Sequence, residues 1–206
     1  YYPCRGAPLR YPSMWPWEHV LLAYVLYSAY SRAWLRRPPS DRAALVVPVA
    51  ALLPDLVDKP LAWQLSVLPG GRSLAHSLLF ALPVVVAVLL LARRLAATDA
   101  GVAFAVGYLS HLPADSFYAA ITSGVRVDAS YMLWPLLPVH PTPTRSFLDR
   151  LVDLLVQFSA FVAGPEGWRF VAVELLLASM ALGLWVFDGA PGLAPVWRAV
   201  GRRSPT

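Results

Sequence analysis

Six apolar stretches divide this 206-residue chain, and they settle which solvent it folds in. They cover residues 20–35, 43–57, 74–91, 102–121, 147–163 and 170–187. A helix needs roughly 20 mostly apolar residues to cross a bilayer, and the first, third, fourth and sixth stretches approach that length. Hydrophobic residues make up 58% of the chain and charged ones 14%, where soluble domains carry roughly 25% charged residues. A water-soluble fold of this size would leave much of that apolar surface wet. The expected fold class is all-α, a polytopic membrane helical bundle with about four to six hydrophobic helices.

The remaining two stretches differ. The second is short and contains Pro48 and Pro54, a combination that neighbouring helices tolerate by satisfying the freed backbone groups. The fifth is amphipathic: Leu151, Leu154, Leu155 and Phe158 recur at helical spacing, with Asp149, Arg150 and Asp153 near its start. It is expected to lie at the membrane interface or to insert partly. Residues 1–13, rich in Pro, Arg and Tyr, read as a disordered extension, with Met14 as the natural start and no signal peptide before the first stretch. Residues 14–135 then form a four-helix core. Residues 136–206 supply the interfacial helix, a last transmembrane helix and a basic tail.

The formal charge is +5, and of the basic residues Lys59 alone is a lysine. Heavy use of Arg over Lys and Asp over Glu fits a GC-rich genome such as that of a halophilic archaeon. No dense basic run tracks a nucleic acid, so the arginines read as membrane-flanking charge and nucleic acid is not an expected partner. Arg32, Arg36, Arg37 and Arg42 make the first loop basic, and Arg93 and Arg94 the third, as in cytoplasmic loops. Arg198, Arg202 and Arg203 would return to that side, which places the protein in the plasma membrane as a multi-pass chain. Cys4 is the one cysteine, which excludes an intrachain disulfide and a thiolate cluster.

Polar residues within this apolar background are the chemically informative ones. Glu18-His19 opens the first stretch, and Pro54-Asp55-Leu56-Val57-Asp58 closes the second. Arg72-Ser73-Leu74-Ala75-His76-Ser77 opens the third, and Ser110-His111-Leu112-Pro113-Ala114-Asp115 lies in the later part of the fourth. Alternating helix direction brings all four motifs to one end of the bundle. Asp55 and Asp58, Arg72 and His76, and His111 and Asp115 each have the spacing that shares one helix face. Ionisable groups at membrane depth are costly and usually mark a site. His19, Asp55, Asp58, His76, His111 and Asp115 together make the ligand set of a divalent metal, zinc first and manganese second. Each also has a plainer reading: Asp58 as a cap, His19 as an interfacial residue, Arg72 as the ion-pair partner of Asp55 or Asp58, Ser77 and Ser110 as donors to helix backbone. His140, in a loop without a carboxylate nearby, reads as structural.

In this order and spacing the four motifs resemble the YdjM type of membrane-bound metal-dependent hydrolase, over roughly residues 14–135. The later segments have no such match. The resemblance implies that His19, Asp55, Asp58, His76, His111 and Asp115 bind metal, and it implies kinship with zinc phospholipase C and single-strand nucleases, all-helical enzymes with clustered zinc ions. One departure stands out: family members often carry Gly-x-Thr before the His-Ser pair, where this chain has Ser73-Leu74-Ala75. The implied chemistry is metal-assisted hydrolysis, with one ion activating water, a second holding the substrate oxygen, and Asp58 and Arg72 in catalytic roles. Ser77 and Ser110 would contact substrate. Membrane lipids are the expected surroundings, and a lipid-linked phosphoester entering sideways the expected substrate. The competing classes are a metal-independent lipid phosphatase, which lacks its Pro-Ser-Gly-His stretch here, and a transporter or scaffold whose His/Asp cluster binds a metal ion or protons.

Overall fold

A computed structural model describes residues 14–123, 126–139, 141, 146–165 and 167–193. The expected extension at 1–13, His140 and the arginines at 198, 202 and 203 lie outside them. The described residues form six α-helices: α1 (Pro16–Tyr30), α2 (Asp41–Lys59), α3 (Leu78–Arg94), α4 (Thr98–Ser123), α5 (Phe147–Val162) and α6 (Gly167–Phe187). Turns of π-helix, Ser31–Leu35 and Pro60–Gln64, extend α1 and α2, and a 3₁₀ turn, Ser130–Leu133, lies between α4 and α5. No strand occurs among the described residues, so the all-α expectation holds.

Each apolar stretch became a helix, but the third begins later than expected. Residues 72–76 are bends and turns, and Ser77, in extended conformation, caps α3 by accepting the Leu79 N–H at 3.2 Å. Arg72 and His76 therefore do not share a helix face. The Asp58 carboxylate accepts the backbone N–H groups of Ser73 (2.7 Å), Ala75 (2.8 Å) and His76 (3.2 Å). Those donors point at one buried anion rather than along a helix axis, which is why this segment does not coil.

α2 and α4 make the most extensive helix pair, and small residues allow it. Val47, Ala50 and Ala51 of α2 and Ala103 of α4 are fully buried. A Cβ on Gly107 would stand 2.8 Å from the Val47 carbonyl oxygen and 2.9 Å from the Ala50 Cβ. Small residues at helix contacts let backbones approach closely, the usual solution in membranes. α3 joins through Ala81 and Val85 against Tyr108 and Leu112.

α6 lies on α1, and its ends are tied by polar contacts. Asp188, just past α6, accepts from Tyr24 and Ser28 at 2.7 Å each and pairs with Arg32 at 2.6 Å. At the other end the Tyr118 hydroxyl lies 2.8 Å from Glu18 and 2.6 Å from Glu174, and Trp17 donates to Glu174 at 3.1 Å. α5 presents Phe158 and Phe161 to Phe170, while Leu148, Val152, Leu155 and Val156 stay exposed.

The ends of the bundle are chemically distinct. Ser40 donates to Asp99 at 2.6 Å, Tyr27 donates to the Asp99 carbonyl, and the Gly192 N–H donates to Asp41, so the arginine-bearing loops after α1 and α3 meet at one end. The four polar motifs meet at the other, as helix alternation requires. Among the described residues, α6 is the one helix long and apolar enough by itself to cross a membrane.

Candidate metal centre

The site draws on four parts of the chain. α1 supplies His19, the end of α2 Asp55 and Asp58, the bent segment before α3 Arg72 and His76, and α4 His111 and Asp115. Every one except Arg72 is buried. Each arrives by a local cause. Glu18, in the first turn of α1, accepts the Trp15 N–H and so closes the helix start around His19. His111 stands one turn beyond Gly107, where α4 is pressed against α2.

The two later histidines have their tautomers set by their outer partners. His76 Nδ1 lies 2.8 Å from Asp58, and His111 Nδ1 lies 2.7 Å from the Ala51 carbonyl. Neither a carbonyl nor an ionised carboxylate has a proton to give, so each Nδ1 acts as the donor, and in the neutral form of each ring Nε2 is the nitrogen with the free lone pair. Those Nε2 atoms face each other at 3.1 Å. Two lone pairs at that distance repel unless a cation or a proton sits between them. Outer acceptors of this kind are the usual supports of metal-ligating histidines.

The carboxylates follow a matching pattern. Asp55 Oδ2 is paired with Lys59, and Asp55 Oδ1 is buried with no hydrogen-bond partner. It lies 3.5 Å from His76 Nε2 and 3.8 Å from His111 Nε2. Asp115 Oδ2 takes the Arg72 Nε at 2.7 Å, while Oδ1 lies 3.4 Å from His19 Nε2. Both ring nitrogens of buried His19 lack hydrogen-bond partners, and its ring stacks on His111 at 3.7 Å. Nitrogen and oxygen donors about 2.0–2.2 Å from a tetrahedral zinc stand about 3.3 Å from one another. The separations here fall around that value. Two overlapping donor triads result, His19–His111–Asp115 and Asp55–His76–His111.

The donor set therefore fits a divalent cation, and it is smaller than the expected six. Asp58 is outside both triads because its oxygens accept three backbone N–H groups and His76 Nδ1. Arg72 pairs with Asp115, neither with Asp55 nor with Asp58. Ser77 Oγ donates to the Trp134 carbonyl at 2.5 Å and Ser110 Oγ to the Gly107 carbonyl at 3.1 Å, so both hydroxyl protons are directed at backbone. Burial disfavours the Arg72 charge, but the anionic Asp115 and Asp55 outweigh it and raise its pKa above the ordinary arginine value.

Two residues were missed in the sequence. Lys59 holds the outer oxygen of Asp55, and its spacing of four from Asp55 was a usable signal. Tyr131 had none. Its hydroxyl donates to the Leu112 carbonyl and lies 2.8 Å from Ser116 Oγ, and its ring sits 5.6 Å beneath the Arg72 guanidinium and 6.0 Å from His76. Burial first, then the Asp115 charge, push the Tyr131 phenol up to about 12, so it stays a neutral prop.

No curated protein and no solved structure matches this chain. The model of the YdjM inner membrane protein family does, over residues 14–191. That range takes in all five side chains of the two triads and continues through α5 and α6, beyond the stretch in which the motifs are recognisable. The chain belongs to the YdjM inner membrane protein family.

Proposed function

We propose that this protein is a multi-pass, metal-dependent hydrolase of the inner membrane, cleaving a phosphoester or other lipid-linked ester at the bilayer edge. The observation that carries the reading is the pair of Nε2 atoms on His76 and His111 that face each other 3.1 Å apart, beside the unpartnered Asp55 Oδ1. When bound, a divalent cation such as zinc or manganese acidifies water and polarises an ester oxygen.

The chain's own residues prepare for that chemistry. Lys59 and Arg72 hold the outer oxygens of Asp55 and Asp115, leaving the inner oxygens aimed at the centre. Arg72 is the one polar residue of the set with substantial exposure, 33% of its side chain. Its Nε is committed to Asp115, and its terminal nitrogens supply donors in the fork geometry that suits a phosphoryl or carboxyl oxygen. Support for several crossings comes from outward faces. Leu79, Leu82, Val86 and Leu90 of α3 are exposed, as are Leu175, Leu176, Met180 and Leu182 of α6. α3 has 17 residues, about 25 Å at a helical rise of 1.5 Å per residue. Lipid is the solvent such faces fit.

The test is turnover. Protein purified in detergent would be assayed on phosphoester and carboxyl-ester lipids in mixed micelles, with and without chelator. Chelator-sensitive release, lost in Asp115→Ala, is expected. Protein that keeps its metal yet turns over none of these lipids would overturn the hydrolase reading in favour of a membrane protein that carries a metal ion or protons.

A further inference from the structure

We propose that residues 131–137 form a lipid-facing shelf beside the centre. It seats an anionic amphiphile, with the phosphoryl or carboxyl head on Arg72 and the chain over Leu133, Leu136 and Leu137. The inference rests on the hydrolase reading for the fate of that amphiphile, and not for its binding.

The segment is apolar without being a long helix. Met132-Leu133-Trp134-Pro135-Leu136-Leu137-Pro138-Val139 carries no charged side chain, whereas turns that face water are ordinarily polar. Leu133 is 43% exposed, Leu136 72% and Leu137 41%. Three neighbouring leucines turned outward make a patch that calls for an apolar partner.

Irregular backbone is costly in hydrocarbon, because an open N–H loses its hydrogen bond to water. Here much of that cost is met within the segment. The Met132 N–H donates to the Ala129 carbonyl and the Trp134 N–H to the Tyr131 carbonyl, each at 3.1 Å. Those of Leu136 and Leu137 both reach the Leu133 carbonyl, at 2.8 and 3.2 Å. Pro135 and Pro138 have no N–H to satisfy. The Trp134 carbonyl accepts the Ser77 hydroxyl at 2.5 Å. Such pairing suits a turn that meets lipid.

The shelf and the charge share one anchor. Tyr131 is buried and donates to the Leu112 carbonyl, and Met132 packs on the Ala81, Val85, Tyr108 and Leu112 cluster. The Arg72 guanidinium stands 5.6 Å from the centre of the Tyr131 ring. Its Nε is held by Asp115 at 2.7 Å, so a head bound by its terminal nitrogens is brought beside a carboxylate of the centre. A small soluble anion would use Arg72 and leave the leucines wet. A neutral lipid would cover the leucines and ignore the guanidinium. An amphiphile with an anionic head complements both.

Full-length protein carrying Cys4→Ser and Leu136→Cys would be labelled with the fluorophore NBD at position 136 and reconstituted into phosphatidylcholine vesicles. Doxyl-labelled phosphatidic acid or doxyl-labelled phosphatidylcholine would be included at equal mole fraction, with iodide as the aqueous quencher. Quenching by doxyl lipid rather than iodide is expected, stronger with phosphatidic acid, and that preference should vanish in Arg72→Gln. Quenching by iodide without quenching by lipid would overturn the shelf and leave this face to water or a protein partner. Equal quenching by the two lipids with Arg72 in place would overturn the headgroup assignment, whether or not Arg72→Gln folds. In turnover assays, Leu136→Ser combined with Leu137→Ser should raise KM for a long-chain phosphoester about tenfold more than for its short-chain soluble counterpart, the effect of roughly two methylenes of lost burial. An equal change for both substrates would overturn the chain contact. A preference for the anionic lipid without turnover of any ester would sink the hydrolase reading and leave the lipid site standing.

Discussion

His76 and His111 face each other through their Nε2 atoms at 3.1 Å, and each ring is oriented by a different acceptor on its far side, Asp58 for one and the Ala51 carbonyl for the other. A ligand that binds only the folded state stabilises it in proportion to its saturation, by about 2.7 kcal/mol at a hundredfold excess over Kd. Zinc or manganese added to chelated protein should therefore raise the thermal unfolding midpoint. His76→Ala should remove the response while leaving a folded, less stable protein. Equal metal-induced shifts in wild type and His76→Ala would show that the cation binds elsewhere.

Asp58 is the hinge of the bent segment. Its carboxylate accepts three backbone N–H groups and the His76 ring. Asp58→Asn keeps the shape but removes the charge and places an amide donor where the site needs an acceptor. Outer partners of metal-binding histidines typically alter affinity by about 10–100-fold, and a loss of that size is expected in a metal titration. Unchanged affinity would mean that His76 is held by its backbone alone.

Gly107 sets the spacing between α2 and α4. An added methyl would meet the Val47 carbonyl at 2.8 Å and the Ala50 Cβ at 2.9 Å, and backbone cannot swing aside as a side chain can. Gly107→Ala should destabilise the protein by about 1–3 kcal/mol, the usual cost of overpacking. The same displacement would lengthen the His111–Ala51 bond, so metal affinity should fall with stability. Thermal unfolding in detergent and a metal titration of the same variant check both.

The opposite end of the bundle responds to pH through Asp99. The Ser40 hydrogen bond is the main cause holding this carboxyl below its usual value, and partial burial works against it. A carboxyl with a depressed folded pKa stabilises the fold above its unfolded value of about 3.9 and loses that contribution as pH falls through the folded one. Ser40 also caps α2 through the Ala43 N–H, a role worth about 1 kcal/mol. The deficit of Ser40→Ala should therefore be largest near neutral pH and shrink toward the capping part in acid. A deficit constant from neutral to acid pH would show that Ser40 contributes only as a cap.

Much of this protein could be read without coordinates. The six helices were legible because an apolar run of helix length has few alternatives, and the convergence of His19, Asp55, His76, His111 and Asp115 followed from alternating helix direction. Both arguments are one-dimensional and depend on where residues fall along the chain. The division of labour among those residues was not legible. Asp55 and Asp58 look equivalent at a spacing of three, yet one oxygen of Asp55 faces the centre while Asp58 gathers backbone donors from a segment 15–18 residues away. Arg72 and His76 carry a helical spacing, but that buried anion bends them out of a helix. Tyr131 and the Ala51 carbonyl had no local signature at all. Sequence by itself determined which residues reach the same end of the membrane bundle. Tertiary structure alone decided which of their atoms are free to bind, because a donor is left available only once its other hydrogen bonds have been made.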